Sequence, residues 1–136
     1  MTIRRLATLL MIHFCALSLH AAPSDVTATK LLVGTWVNHG HYRSLQDSRT
    51  WRFGADGTFS FCTAWRVGDK ETRFEELGKW RIKNGVLIQE ITGGTEGPLI
   101  GSRMRHTVLS INEKQVRFRT QWGEEPTFIR KPVLEI

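Results

Sequence analysis

The spacing of the connections between strand-like segments is the feature of this sequence that most restricts its fold. Tight turns and loose loops alternate along the chain. The tight turns lie at residues 56–57, 84–85 and 112–114, and the loose loops lie at residues 40–48, 68–72, 93–102 and 123–126. In an antiparallel meander successive connections fall at opposite ends of the sheet, so the tight turns share one end and the loose loops the other. The spacing therefore predicts a barrel with one closed end and one open end.

Apolar and polar residues alternate in the segments between these connections. Phe59, Phe61 and Trp65 fall on one face of the third segment, opposite Ser60 and Cys62. Such alternation is typical of half-buried strands. The predicted strands cover residues 34–39, 49–53, 58–67, 73–82, 86–92, 103–111, 115–122 and 127–130, after a short helix at 24–32. Since a two-sheet sandwich needs long crossover connections, we predict an all-β, eight-stranded antiparallel up-and-down barrel with a short N-terminal helix.

The first 22 residues have the composition of a signal peptide. Arg4 and Arg5 precede an apolar run at residues 6–19, and the small residues Ala21 and Ala22 follow it. The run is shorter than the ~20 residues that cross a bilayer, so no stable membrane insertion is expected. We predict cleavage after Ala21 or Ala22, a barrel domain over residues 23–136, and a periplasmic or secreted location.

The expected mature chain has a mild positive charge and one cysteine. Loss of Arg4 and Arg5 leaves 17 of the 19 basic residues against 13 acidic residues, a formal charge of +4. A nucleic-acid-binding domain would be expected to cluster its basic residues beside aromatic side chains, so no nucleic-acid partner is predicted. Cys62 is the single thiol of the mature chain, which excludes an intrachain disulfide. We expect it on the outward face of its strand.

The start of the first predicted strand carries a short motif, Gly34-Thr35-Trp36. It resembles the Gly-x-Trp motif of the lipocalin-like families of the calycin group, and residues 53–59 and 78–87 are similar to hairpins of small bacterial lipocalin-like domains. In that family a late arginine packs over the tryptophan and closes the bottom of the barrel. The resemblance implies this structural role for Gly34, Trp36 and Arg130. The meander agrees, since the first strand starts and the last strand ends at the tight-turn end.

The interior of the predicted barrel is strongly aromatic. Its inward-facing candidates are Trp51, Phe53, Phe59, Phe61, Trp65, Phe74, Trp80, Phe118, Trp122 and Phe128. These rings either fill the barrel as a packed core or line an apolar pocket at its open end. For the second case, the candidate ligand-binding residues are Trp65, Phe74, Glu76, Trp122 and Phe128. Glu76 is expected either to hold the polar group of a ligand or, as we favour, to reach water at the rim.

His39, Gly40 and His41 form the arrangement closest to a metal motif. Residues two apart on a strand point the same way, and His106 is expected in an adjacent part of the barrel, so three imidazoles could converge on zinc. However, Gly40 is expected to break the strand, and no cysteine or paired carboxylate completes a recognised pattern. We therefore predict surface histidines at a loop, with no metal and no cofactor.

Nothing else in the sequence suggests an active site. Cys62 is expected to face away from any cleft, and the glycine-rich segment at residues 93–98 has no Gly-Lys-Ser/Thr sequence. We therefore predict a non-catalytic, exported binding protein for a small apolar or amphipathic ligand. The alternative is a protein-interaction or inhibitor module of the same fold with a packed interior, directed at an envelope or extracytoplasmic protein.

Overall fold

The chain folds as a closed antiparallel barrel preceded by one helix. The computed structural model describes residues 22–42 and 45–132, so the predicted signal peptide lies outside the described residues except for Ala22. The elements are α1 (Asp25–Leu32), β1 (Gly34–Tyr42), β2 (Leu45–Phe53), β3 (Thr58–Val67), β4 (Lys70–Lys83), β5 (Val86–Gly94), a 3-10 turn (Gly97–Leu99), β6 (Arg103–Ile111), β7 (Gln115–Arg119) and β8 (Thr127–Arg130). Each strand pairs with the next, and β8 returns to pair with β1. The predicted fold class is confirmed.

Helix α1 is fixed to the tight-turn end of the barrel at its N-terminus. Ser24 caps the helix, because its hydroxyl accepts a hydrogen bond from the Thr27 backbone N–H at 3.2 Å. The Asp25 carboxylate accepts hydrogen bonds from the backbone N–H groups of Asn84 and Gly85, at 2.7 and 2.9 Å. These bonds join the helix to the β4–β5 turn. The helix therefore lies across the closed end, where Leu32 is buried.

The hydrophobic core fills the half of the barrel next to α1. Pairs such as Trp36↔Trp51 and Phe53↔Phe59 face each other across neighbouring strands and are buried. Each fully buried side chain of this kind contributes about 1.5 to 3 kcal/mol to stability. In β5, the inward positions are Leu87, Gln89 and Ile91, while Val86 and Ile88 are only half-buried. This settles the orientation of the strand whose alternation is weakest in the sequence.

The prediction of loose loops in the β1–β2 and β3–β4 hairpins was wrong. Strand β1 runs through Gly40 to Tyr42 and pairs with β2 as far as Tyr42↔Leu45, where a loop over 40–48 was expected. Strands β3 and β4 are separated only by Gly68 and Asp69, and Gly68 has a φ of +60° that suits a tight turn. Continuous backbone pairing with the partner strand outweighs the weak strand propensity of glycine.

The predicted seventh strand was too long at its C-terminal end. Strand β7 ends at Arg119, so Trp122 lies in the connection to β8 and not on a strand. The Thr120 hydroxyl accepts a hydrogen bond from the Glu124 N–H, and Gly123 has a φ of +86°. These residues turn the chain, and β8 has only four residues with which β7 can pair. The β5–β6 and β7–β8 connections are thus the loose ones, both at the open end.

Cys62 lies on the outward face of the barrel wall. It pairs with Thr50 of β2 and Glu75 of β4, whose neighbours Trp51 and Glu76 point inward. Its thiol is free and half-buried.

Candidate ligand-binding site

A cavity of about 480 Å³ occupies the open half of the barrel. Its wall is formed by inward-facing residues of β2, β3, β4, β6 and β8 and by the two loose connections. The lining residues are Arg49, Trp51, Phe61, Thr63, Trp65, Phe74, Glu76, Leu99, Met104, His106, Thr120, Trp122, Glu124, Pro126 and Phe128. The volume lies within the range of pockets that hold small organic molecules, and a mainly apolar lining is typical of such pockets.

The structure brings the five predicted ligand-binding residues together around this cavity. Trp65 and Phe74 are half-buried in the β3–β4 wall, and Phe128 is buried at the bottom, with 2% of its surface exposed. Trp122 is 65% exposed at the mouth. The position of Glu76 is described below. Ligand binding by these residues stays a prediction, but their common location makes it a testable one.

Trp51 separates the packed half of the barrel from the open half. Its ring lies 4.9 Å from that of Phe128, 5.2 Å from that of Phe118 and 5.2 Å from that of Phe61, measured between centroids. Tilted and edge-on contacts at these distances are the favoured packing of aromatic rings. Below Trp51 the interior is filled, and above it the interior is hollow. Both alternatives raised by the aromatic sequence are therefore present, at different heights.

Glu76 is buried in the cavity wall, so the favoured prediction that it reaches water at the rim was wrong. Only 7% of its surface is exposed. Its cross-strand neighbours are Phe61 and Gly94, neither of which has a polar side chain. Among the groups that the structure describes, which do not include the side chains of residues 39–47, none donates a hydrogen bond to its carboxylate. Burial raises the pKa of Glu76 above its ordinary value because desolvation disfavours the ionised form.

His106 is a second buried titratable group of the wall. Its ring is 2% exposed and lies between Trp51 and Trp122, with centroid separations of 5.8 and 5.9 Å. Within the described part of the chain, its Nδ1 atom has no hydrogen-bond partner. Burial lowers the pKa of His106 to about 4, so the imidazole is neutral at physiological pH.

The arrangement of three histidines is not supported in the form that the sequence suggested. Strand β6, which carries His106, pairs with β5 and β7 and not with β1, so the expected adjacency was wrong. The side chains of His39 and His41 lie outside the described residues. Among the side chains of residues 22–38 and 48–132, no group of three or more His, Cys, Asp or Glu residues is placed to hold a metal ion.

The residues predicted to close the barrel lie together at the end opposite the cavity. The Arg130 guanidinium lies 4.2 Å from the centroid of the Trp36 ring. It donates hydrogen bonds to the backbone oxygens of Leu31, Val33 (2.8 Å) and Glu113 (2.6 Å), and Trp36 Nε1 donates to Leu32 O at 2.8 Å. The two side chains thus satisfy carbonyls at the end of α1 that have no partner within the helix.

Gly34 makes this closure possible. Its φ is +136°, which L side chains rarely adopt, and an added Cβ would lie 2.5 Å from Arg130 Nη1. A side chain at position 34 would therefore displace the arginine from the closed end of the barrel, called the floor below, which Gly34, Trp36 and Arg130 form.

Comparison with known proteins supports the architecture. No family model and no curated protein matches the sequence. Among solved structures, the chain is similar to the crystal structure of a lipocalin-like protein from Bacteroides uniformis, with a TM-score of 0.50 and 16% sequence identity, over 74% of this chain and 99% of that one. The fold is lipocalin-like. At this level of identity the likeness concerns the fold alone, and it agrees with the resemblance first seen at Gly34 and Trp36.

The cavity of the lipocalin-like barrel also includes residues that sequence reasoning did not single out. Arg49 shares a strand face with Trp51, and Met104 shares one with His106, so alternation could have identified both. Leu99 and Pro126 lie in the loose connections, where no periodicity indicates which side chains point inward.

Proposed function

We propose that this protein is an exported, non-catalytic binding protein that takes a small apolar or amphipathic molecule into the open half of its barrel. The observation that carries this proposal is the cavity of about 480 Å³, lined mainly by aromatic and aliphatic side chains on the open side of Trp51. Burial of an apolar ligand there contributes about 25 cal/mol for each Å² removed from water.

The alternative, a protein-interaction module, receives less support. That proposal requires a packed interior, whereas only the lower half of this barrel is filled. Among the described residues, no helix has the length and hydropathy needed to span a bilayer. Export itself is proposed from the sequence of residues 1–22.

A fluorescence titration tests the binding proposal. We expect the purified mature chain to bind the neutral probe N-phenyl-1-naphthylamine saturably. Thr63→Phe places a ring in the cavity and should weaken that binding about tenfold or more. Thr50→Phe makes the same change on the outward face of the neighbouring strand and should leave it unchanged. The proposal fails if the wild type does not bind the probe or if Thr63→Phe, shown to be folded by circular dichroism, binds it equally well.

A further inference from the structure

The cavity contains a buried carboxylate that the described part of the protein does not pair. Glu76 is more than nine-tenths buried and contributes to the cavity wall. The residues beside it in the sheet, Phe61 and Gly94, supply a ring on one side and no side chain on the other. A carboxylate that is largely removed from water and has no hydrogen-bond partner carries a desolvation cost. A cavity-lining carboxylate of this kind is therefore available to a group brought by a ligand.

Among the side chains that the structure describes, the other titratable groups that line the cavity do not supply this partner. They are Arg49 on β2, His106 on β6 and Glu124 in the β7–β8 connection. Arg49 is engaged in an interaction of its own, and burial is the one cause that shifts the pKa of Glu76. His106 is neutral at physiological pH, and Glu124 is itself acidic and exposed at the mouth. Among the described lining residues, the two carboxylates of Glu76 and Glu124 therefore stand against the single arginine Arg49.

The neighbouring aromatic rings add a second attraction for positive charge. Phe61, Phe74 and Trp65 line the same wall as Glu76. The negative faces of such rings attract cations, most strongly where water is excluded. The wall thus combines a carboxylate with rings that tolerate either an alkyl or an aromatic body.

We propose that the cavity selects amphipathic cations, which are molecules with an apolar body and a protonated amine that pairs with the Glu76 carboxylate. This inference rests on the proposed binding function and adds the chemical class of the ligand. The ammonium group donates hydrogen bonds to the carboxylate, and the apolar body packs against the aromatic wall.

Competition among three ligands of equal chain length tests the inference. Decylamine, decanol and decanoate share one apolar body and differ in the charge of the head group. At pH 8 we expect decylamine to displace the bound probe at about a tenfold lower concentration than decanol, since hydrogen bonds to charged groups exceed neutral ones by about this factor. Decanoate should be the weakest competitor. Equal competition by all three, or a preference for decanoate, would overturn the inference.

Two matched variants assign the preference to a residue. Glu76→Gln keeps the shape of the side chain and should bring decylamine to within about twofold of decanol, while probe binding persists. Glu75→Gln makes the same change on the outward face of the same strand and should keep the preference, because Glu75 is exposed and does not line the cavity. If Glu75→Gln abolishes the preference and Glu76→Gln does not, the assignment to Glu76 is wrong.

The pH dependence gives an independent readout. The Glu76 carboxyl is ionised above its raised pKa and protonated below it, so the preference for decylamine should be lost as the pH falls from 8 to 4.5. The same pH series with Glu76→Gln, which lacks the carboxylate, measures any contribution of His106 to the pH dependence of the preference. A preference that persists unchanged at pH 4.5 contradicts the inference. Loss of probe binding by the wild type at pH 8 would instead contradict the proposed function, so the two failures are distinct.

Discussion

His106 links the stability of this barrel to pH. In the unfolded chain its pKa has the ordinary value of 6.5, whereas burial lowers the folded-state pKa to about 4. As the pH falls through this window, the unfolded state binds a proton before the folded state does, and folding stability is lost. A difference of this size corresponds to about 3 kcal/mol at the acid end. His106→Phe should remove this loss, since it retains a ring between Trp51 and Trp122.

Urea denaturation of the wild type and His106→Phe at pH 7, 5.5 and 4 measures this effect. The stability of the variant relative to the wild type should rise steadily toward pH 4. Glu76 acts in the opposite direction, because its raised pKa costs stability as the pH increases above 4.5. That contribution is common to both proteins and cancels in the difference. Parallel stability curves would show that His106 does not titrate as a buried base.

Sequence reasoning placed individual residues on the correct face more readily than at the correct depth. Glu76 was assigned inward by its spacing from Phe74, but its burial depends on Phe61 and Gly94, which the sheet register brings beside it. The register between β4 and β5 shifts between Leu77 and Gly78. A Cβ added to Gly78 would lie 1.9 Å from the Glu90 carbonyl oxygen, so only glycine fits this close approach. No local pattern in the sequence reveals such a shift.

The floor joins helix α1 to the last strand through one side chain. Arg130 donates to three backbone oxygens and covers the Trp36 ring. Arg130→Ala leaves those acceptors without this partner and removes the cation–π contact, which should lower the free energy of unfolding by about 3 kcal/mol. Urea denaturation of the purified protein measures the loss.

Lys131→Ala is the matched control for the floor. Lys131 is an exposed neighbour whose backbone N–H, donating to Thr35 O, is unaffected by the substitution. We expect a change within about 0.5 kcal/mol. Probe affinity should stay the same in both folded variants, because the packed core and Trp51 separate this closed end of the barrel from the cavity. A loss of stability no greater in Arg130→Ala than in Lys131→Ala would rule out the closing role.

The strands were predictable to different extents. The limits of β3, β6 and β8 agree with the sequence prediction, since apolar alternation and turn residues coincide there. Strand β1 exceeded its prediction because pairing with β2 carries it through Gly40. Strand β7 fell short of Trp122 because its extent depends on the length of its partner β8. Strand limits set by a partner strand do not appear in local sequence.

The whole barrel has a rim of unequal height. Strand β4 has 14 residues, and its ladder with β5 begins only at Glu76↔Gly94, so the β3–β4 hairpin extends past its neighbour. Strands β7 and β8 have five and four residues. On that low side the cavity is covered by the β7–β8 connection, where Trp122 contacts His106. We expect a bound molecule to exchange through this side.

Dissociation kinetics test the exchange route. Trp122→Ala should increase the dissociation rate of the bound probe about threefold or more, because it removes a ring from the low side of the mouth. Val67→Ala, at an apolar position of the β3–β4 hairpin that is 60% exposed, should not change the rate. Equal acceleration by both variants would mean that the probe leaves along the barrel axis.

The low side of the rim has a consequence for the size of molecules that the barrel accepts. A barrel wall of even height would limit the length of a bound ligand. Because this wall is lower at β7 and β8, a long ligand tail can extend sideways into solvent. If a ligand is anchored at Glu76, its head group and the first part of its body meet the protein, and the remainder can lie outside. We therefore expect affinity to level off as the alkyl chain of the ligand becomes longer. The barrel would then select ligands by their head group and not by the length of the tail.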